Sequence, residues 1–269
     1  NAARAAPSRK PPRPRVRRPA PDGAAAGSVQ AAMDELNRDP PAAQARIAQR
    51  IESHPDPAFV GPLLECLWRG GVCGPAAELL TRLMQVLPPE GDFSLALPKM
   101  WQVIRGPGVD SYLKRFLDHV PRPAMVRGLA HPKSEVRAAA AEILLHVLGA
   151  QVRAAPAEVL SAIPAAVLAG LRAAKSPQVA AALAAMGPDP GLDALLVPAA
   201  ADGPSAVARL LLRLGAKPQA LDAEGCSALV RHLERKNPDA ELVAWLIPTR
   251  SAPVGSNRRG ETALHVAAR

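Results

Sequence analysis

The amino-acid sequence predicts an all-α fold built from short helices, and three observations support that prediction. Hydrophobic residues make up 48% of the chain but aromatic residues only 3%, whereas β-sheets favour β-branched and aromatic side chains. From residue 28 onward, apolar residues recur at helical spacing. Thirty prolines and 19 glycines interrupt these stretches, which is typical of short helices joined by tight turns.

Residues 1–27 form a basic tail in which Val16 is the one branched aliphatic residue. Such a segment buries too little apolar surface to offset the entropy of ordering, so we expect it to be disordered. Its seven cations are Arg4, Arg9, Lys10, Arg13, Arg15, Arg17 and Arg18. Without them the net charge of +9 falls to +2. Non-specific nucleic-acid association through this tail is one alternative function, although the tail lacks aromatic residues that stack on bases.

Helical periodicity begins at Ser28, a residue type that caps helices, so we expect the first helix there. The second helix is expected to begin at Pro40 or Pro41, because proline is favoured in the first helical turn. Further helices are expected to start at Asp56 and at Gly74. Two more are expected at the apolar stripes around Trp101 and around Phe116.

The segment 129–144 has Pro132 in a turn, then Val136, Arg137 and a run of alanines. We expect Ser134 to cap this helix. Its buried stripe is predicted to contain Val136, Ala140, Ile143, Leu144 and Val147. The segment resembles a HEAT repeat, which implies a HEAT-like α-helical region over residues 28–188. It also implies that Arg137 has a structural role, as a bridge to a neighbouring unit. Two more apolar helices are expected, at about 156–174 and 177–186.

Glycines recur near the end of the chain, at Gly191, Gly225 and Gly260, with spacings of 34 and 35 residues. Each is followed two residues later by a residue that can cap a helix, namely Asp193, Ser227 or Thr262. The last motif reads Gly-Glu-Thr-Ala-Leu-His-Val-Ala-Ala over residues 260–268. Between the motifs, Gly215 follows the apolar run 207–214 and is expected to end a helix in the left-handed conformation.

These motifs resemble the ankyrin repeat, a unit of about 33 residues with a β-turn and two antiparallel helices. The resemblance covers residues 189–269 and implies an α-solenoid in which HEAT-like helices precede ankyrin repeats. It also implies that His265 hydrogen-bonds to the backbone of its own turn. Because Arg269 directly follows the first helix of its unit, we expect that unit to be truncated and the chain to be a fragment.

The resemblance further implies that hairpin tips and first helices form a concave face that binds a partner protein. Positions falling on that face are Ala223, Glu224, Cys226, Glu234, Arg235, Arg258, Arg259 and Glu261.

Sequence motifs for catalysis are missing: the chain has no glycine-rich phosphate loop, no Gly-x-Ser-x-Gly and no His-Glu-x-x-His. The three cysteines, Cys66, Cys73 and Cys226, form neither a disulfide framework nor a metal-ligand spacing. We therefore expect no catalysis, no cofactor and no metal, and a cytoplasmic protein-interaction module. The alternative is a targeting region of a larger enzyme, or of a bacterial effector secreted into a host cell, with its catalytic part beyond Arg269.

Overall fold

The computed structural model describes residues 23–67, 73–106, 111–148, 157–174, 176, 190–247 and 255–269. These residues form thirteen α-helices and three 3₁₀-helices. They contain no β-strand, only two isolated β-bridges, and the prediction of an all-α fold is confirmed. Among the described helices, none combines the length and the hydropathy that a bilayer span requires.

The α-helices are α1 (Gly23–Arg38), α2 (Pro40–Ser53), α3 (Val60–Cys66), α4 (Cys73–Val86), α5 (Leu97–Arg105), α6 (Arg122–Leu129), α7 (Ser134–Leu148), α8 (Ala157–Ala173), α9 (Leu192–Asp202), α10 (Ser205–Arg213), α11 (Ala228–Leu233), α12 (Ala240–Leu246) and α13 (Ala263–Ala267). The 3₁₀-helices are Pro57–Phe59, Ser94–Ala96 and Ser111–His119.

Several helix starts follow the predicted signals. Helix α2 begins at Pro40, and Asp56 accepts a hydrogen bond of 2.9 Å from the backbone N–H of Ala58 at the start of the third helical segment. Helix α1 differs, because it begins at Gly23 and contains Ser28 within it. Residues 23–27, assigned to the tail from the sequence, therefore lie in a helix, while residues 1–22 lie outside the described residues.

The stripe predicted for the segment 129–144 is buried along α7. Val136, Ala140, Ile143 and Leu144 are each at most 1% exposed, and Val147 is half-buried. The predicted cap is wrong in detail, because Ser134 is itself the first helical residue.

The Arg137 side chain turns back onto the loop before its own helix. Its Nη1 donates to the carbonyl oxygens of His131, at 2.9 Å, and Pro132, at 2.7 Å. These two bonds satisfy carbonyl groups at the α6–α7 turn, so Arg137 has a structural role. The bonds lie within its own turn, whereas a bridge to a neighbouring unit was predicted. Its Cδ also lies beside Gly170 of α8, where an added Cβ would meet it at 2.7 Å.

The helices contact one another in a regular order. Helices α1, α3, α5, α7, α10 and α12 form one series in which each contacts the next, and α6, α8, α9, α11 and α13 form another. Consecutive helices also contact as pairs, as in α1–α2, α3–α4, α6–α7, α9–α10 and α11–α12. Amphipathic helices arranged in this way bury an apolar stripe against both a chain neighbour and a helix further along.

The helices on the two sides of the predicted boundary at residues 188 and 189 pack together. Helix α7 contacts α10, and α8 contacts α9. One buried hydrophobic cluster runs from Val29 to Val266. The helix predicted at 177–186 lies outside the described residues.

A buried ion cluster reinforces this junction. Arg209 of α10 is 8% exposed, pairs with Glu142 of α7, and donates a 2.5 Å hydrogen bond to Glu241 of α12. One guanidinium thus connects three successive helices of one series.

Candidate protein-binding face

Two turns, at residues 222–227 and 257–262, share one set of backbone hydrogen bonds, offset by 35 positions. In the first turn, the N–H of Asp222 donates to the carbonyl of Cys226 at 2.9 Å, and in the second the N–H of Asn257 donates to the carbonyl of Glu261 at 3.0 Å. An antiparallel β-bridge closes each turn, between Leu221 and Ser227 in the first and between Ser256 and Thr262 in the second. We call these segments the first turn and the second turn.

The first residue of each turn holds the loop with its own side chain. Asp222 Oδ1 accepts from the N–H groups of Glu224 and Cys226, both at 2.9 Å. Asn257 Oδ1 accepts from those of Arg259 at 2.9 Å and Glu261 at 3.0 Å. Aspartate and asparagine are the residue types whose short side chains make such local bonds.

A glycine in the left-handed region completes each turn. Gly225 has φ +76° and Gly260 has φ +74°, a conformation that other residues adopt only with strain. Gly215 also has positive φ, +108°, just beyond α10, as predicted. Gly191 differs, with φ −65°, so the segment before α9 lacks this turn conformation.

The residues after the glycines begin helices. The Ser227 hydroxyl accepts from the N–H of Val230 at 3.4 Å. His265 Nδ1 accepts from the N–H of Thr262 at 3.2 Å, the backbone contact that the resemblance implies. Asp193 was predicted to cap α9, and this prediction is wrong. Its side chain accepts a 2.7 Å hydrogen bond from the N–H of Lys217.

Salt bridges connect the first turn to α11 and to the second turn. Arg231 donates to Asp222 Oδ2 from Nε at 3.0 Å and from Nη2 at 2.8 Å, and to Glu224 at 2.5 Å. Arg258 of the second turn donates from Nε to Glu224 Oε2 at 2.9 Å. Hydrogen bonds from Arg258 first and Arg231 second lower the pKa of Glu224 to about 2. Glu224 is therefore ionised at neutral pH and joins the two turns.

Four of the predicted face residues, Ala223, Glu224, Arg258 and Arg259, are exposed on the turns. Glu234, also predicted and exposed, accepts a 2.9 Å hydrogen bond from the side chain of Asn257.

Two other predicted residues are held by structural contacts. Glu261 is half-buried and accepts from the Asn257 side chain at 2.7 Å and from Arg269 at 3.1 Å. Arg235 is half-buried and donates to the carbonyl of Gly203 at 2.9 Å, beyond the end of α9.

Cys226 was placed on the face wrongly. It is 0% exposed, and its thiol donates to the carbonyl of Ser256 at 3.0 Å. Burial raises the pKa of this thiol. The side chain packs inward between the two turns because the second turn covers it, and a partner protein cannot reach it on this face.

Three charged or polar members of this network were not predicted from the sequence. Arg231 and Arg269 had no recognised role, and Asn257 was not recognised as the second-turn equivalent of Asp222. The 35-residue offset between Asp222 and Asn257 was a signal that could have found the second of these turn residues. No local pattern marks Arg231, whose partners are set by how α11 lies against the first turn.

One cluster of metal-ligand types lies here. Oxygens of Asp222 and Glu224 and the sulfur of Cys226 lie within 4.8 Å of one another. Both carboxylates are already bound by Arg231, and the raised pKa of Cys226 keeps the thiol protonated. Because a metal would have to displace the guanidinium and a proton, the arrangement is better suited to an ion-pair network.

A cleft of about 400 Å³ opens beside the second turn. Its lining residues are Arg231, Glu234, Asn257, Arg258, Arg259 and Arg269.

Comparisons of the chain with protein-family models, with curated proteins and with solved structures found no match.

Proposed function

We propose that this chain is a protein-interaction module without intrinsic catalysis, whose concave face binds a partner protein. In this proposal the helices form an α-solenoid, HEAT-like over residues 28–188 and ankyrin-type over 189–269. The observation that carries it is the pair of equivalent turns at 222–227 and 257–262, each with an Asx side chain, a positive-φ glycine and a helix start. Repeating units that stack on their neighbours produce extended concave surfaces that bind proteins.

The order of helix contacts supports the solenoid. In a solenoid each unit contacts its immediate neighbours, so helices pair within a unit and meet their counterparts in the next. The described helices follow that order from α1 to α13.

Rigidity of the turns supports a binding role. Glu224 joins the two turns through Arg258, and His232, 0% exposed, joins α9 to the start of α12. Its Nδ1 lies 3.0 Å from the carbonyl oxygen of Ala200, and its Nε2 accepts from the N–H of Asp239 at 2.8 Å. A surface already held in one conformation loses little entropy when a partner binds.

We place the module in the cytoplasm. Cys73 and Cys226 form no disulfide within the described residues, and cysteines kept as thiols are typical of a reducing compartment.

The test compares two single substitutions that add the same bulk and charge. Ala223→Arg alters an exposed residue of the first turn, and the matched control Ala42→Arg alters an exposed residue of α2. The immobilised full chain and both variants are incubated with a lysate of the organism that encodes the chain, and captured proteins are quantified by mass spectrometry. At least one protein captured by the unchanged chain should fall tenfold or more with Ala223→Arg and stay constant with Ala42→Arg. Equal recovery of every captured protein with both variants would contradict the proposal.

A further inference from the structure

The cleft beside the second turn has a strongly uneven charge on its lining. Four of its lining side chains are arginines, and a single carboxylate, Glu234, lines it with them. Its volume of about 400 Å³ falls within the range of about 300–1,000 Å³ that is usual for ligand pockets.

Most of the acids that neutralise these arginines lie outside the lining, and the exception is Glu234, which lies 3.6 Å from Arg231 Nη1. Outside the lining, Arg231 is bound by Asp222 and Glu224. Arg258 is bound by Glu224, and Arg269 by Glu261. A guanidinium carries five N–H donors in a fixed fork, so one carboxylate occupies only part of it. All three guanidinium nitrogens of Arg231 face carboxylates. Arg258 and Arg269 are oriented by their salt bridges and keep donors for a second acceptor in the cleft.

Arg259 differs from the other three. Its side chain is exposed, and no carboxylate of the described residues lies within the 4.0 Å that defines a salt bridge to it. Within the part of the chain that the structure describes, its backbone N–H is bound by Asn257 Oδ1 at 2.9 Å and its guanidinium by no carboxylate. It is the lining cation with most donors left for a ligand.

From this geometry we infer that the cleft binds carboxylate side chains of an acidic segment in the partner protein. The inference rests on the proposed function and specifies the partner's chemistry. Arginine is suited to carboxylates because its planar fork matches the two oxygens. A protein segment fits better than single-stranded nucleic acid, because the lining has no aromatic side chain on which bases could stack and includes the carboxylate of Glu234.

The test measures binding of fluorescein-labelled hexaglutamate to the full chain by fluorescence anisotropy at low salt. The chain used has all seven tail cations changed to glutamine, since the tail would otherwise bind the same probe. Arg259→Gln and Arg269→Gln are compared with the matched control Arg105→Gln, an exposed arginine at the end of α5. Thermal unfolding followed by circular dichroism verifies that each variant is folded.

We expect Arg259→Gln and Arg269→Gln each to weaken hexaglutamate binding about threefold, and the double variant about tenfold. These values follow from about 0.2–1 kcal/mol for an exposed ion pair, with 1.4 kcal/mol corresponding to a tenfold change. Arg105→Gln should leave the affinity unchanged.

Three outcomes would overturn the inference. They are no binding of hexaglutamate, equal weakening by Arg105→Gln, and tighter binding of a six-nucleotide thymidine strand than of hexaglutamate. If these outcomes refuted the inference, the result expected for Ala223→Arg would still stand, because Ala223 does not line the cleft. Conversely, hexaglutamate binding without any effect of Ala223→Arg on captured proteins would contradict the proposed function alone.

Discussion

Replacing Arg209 with methionine removes the cation from a buried ion cluster, and we expect this change to destabilise the fold strongly. The side chains of Arg209 and Glu142 are only 10% and 18% exposed, whereas that of Glu241 is 60% exposed. Removing one partner of a buried pair costs about 3–5 kcal/mol, because the other charge stays buried and unpaired. Since Glu142 keeps some contact with water, we expect a loss of about 2–4 kcal/mol in the free energy of unfolding at neutral pH.

The loss should depend on pH in a definite direction. Burial raises the pKa of Glu142, and the neighbouring Arg209 opposes that shift. Without Arg209 the pKa rises further, and the protonated carboxyl carries no charge to desolvate. A raised pKa in the folded state means that folding favours proton uptake, so stability is lost as pH rises through the titration. The cost of Arg209→Met should therefore be larger at pH 7.5 than at pH 5.

The assay is urea denaturation followed by far-ultraviolet circular dichroism, on both single variants and the double variant. Arg209→Met with Glu142→Leu removes both charges, and such exchanges are often neutral or stabilising. We expect the double variant to lie within about 1 kcal/mol of the unchanged chain. A loss below about 0.5 kcal/mol for Arg209→Met, or a double variant as unstable as the sum of the single losses, would refute the reasoning.

Three further predictions concern the region that contains the two turns. His232→Ala leaves the part-buried N–H of Asp239 without its acceptor and opens a cavity where a fully buried ring stood, so it should cost about 2–4 kcal/mol of unfolding free energy in urea denaturation; a loss below about 1 kcal/mol would contradict this. Gly225→Ala and Gly260→Ala force a side chain onto positive φ and should each cost about 1–2 kcal/mol, whereas Gly61→Ala, in a helix with open space around it, should gain up to about 1 kcal/mol; equal effects would contradict the turn assignment. The pKa of Glu224 is lowered from its ordinary 4.5 to about 2, so its stabilising contribution is present above pH 4.5 and is lost as pH falls toward 2. Glu224→Gln should therefore reduce the fall in the urea midpoint between pH 5 and pH 2. An unchanged fall would count against this prediction.

Features that depend on a few neighbouring residues were predicted correctly from the sequence. Gly215 adopts the positive φ that was expected, and His265 contacts the backbone of Thr262. Each of these contacts closes within six residues, so local sequence determines it. The α7 stripe was likewise predictable, because helical spacing alone places Val136 and Ile143 on one face.

Features that depend on distant segments were missed. Cys226 follows the turn glycine directly and was assigned to the exposed face, but the second turn covers it through Ser256, 30 residues away. Arg235 was also taken for a free surface residue, yet its guanidinium reaches the carbonyl of Gly203, 32 residues earlier. Nothing near these two positions in the chain indicates such contacts.

By itself, the sequence determined the helical fold class, the two 35-residue-spaced turns and the residues that end and begin their helices. Only the tertiary structure decided that Arg209 joins α7 to α12, that Glu224 joins the two turns, and that four arginines line one cleft. The physical reason is the separation along the chain between the residues that interact. Turn and helix geometry follow from hydrogen bonds between near neighbours, whereas burial and ion pairing depend on which helices pack together, and many sequences with the same local pattern differ in that packing.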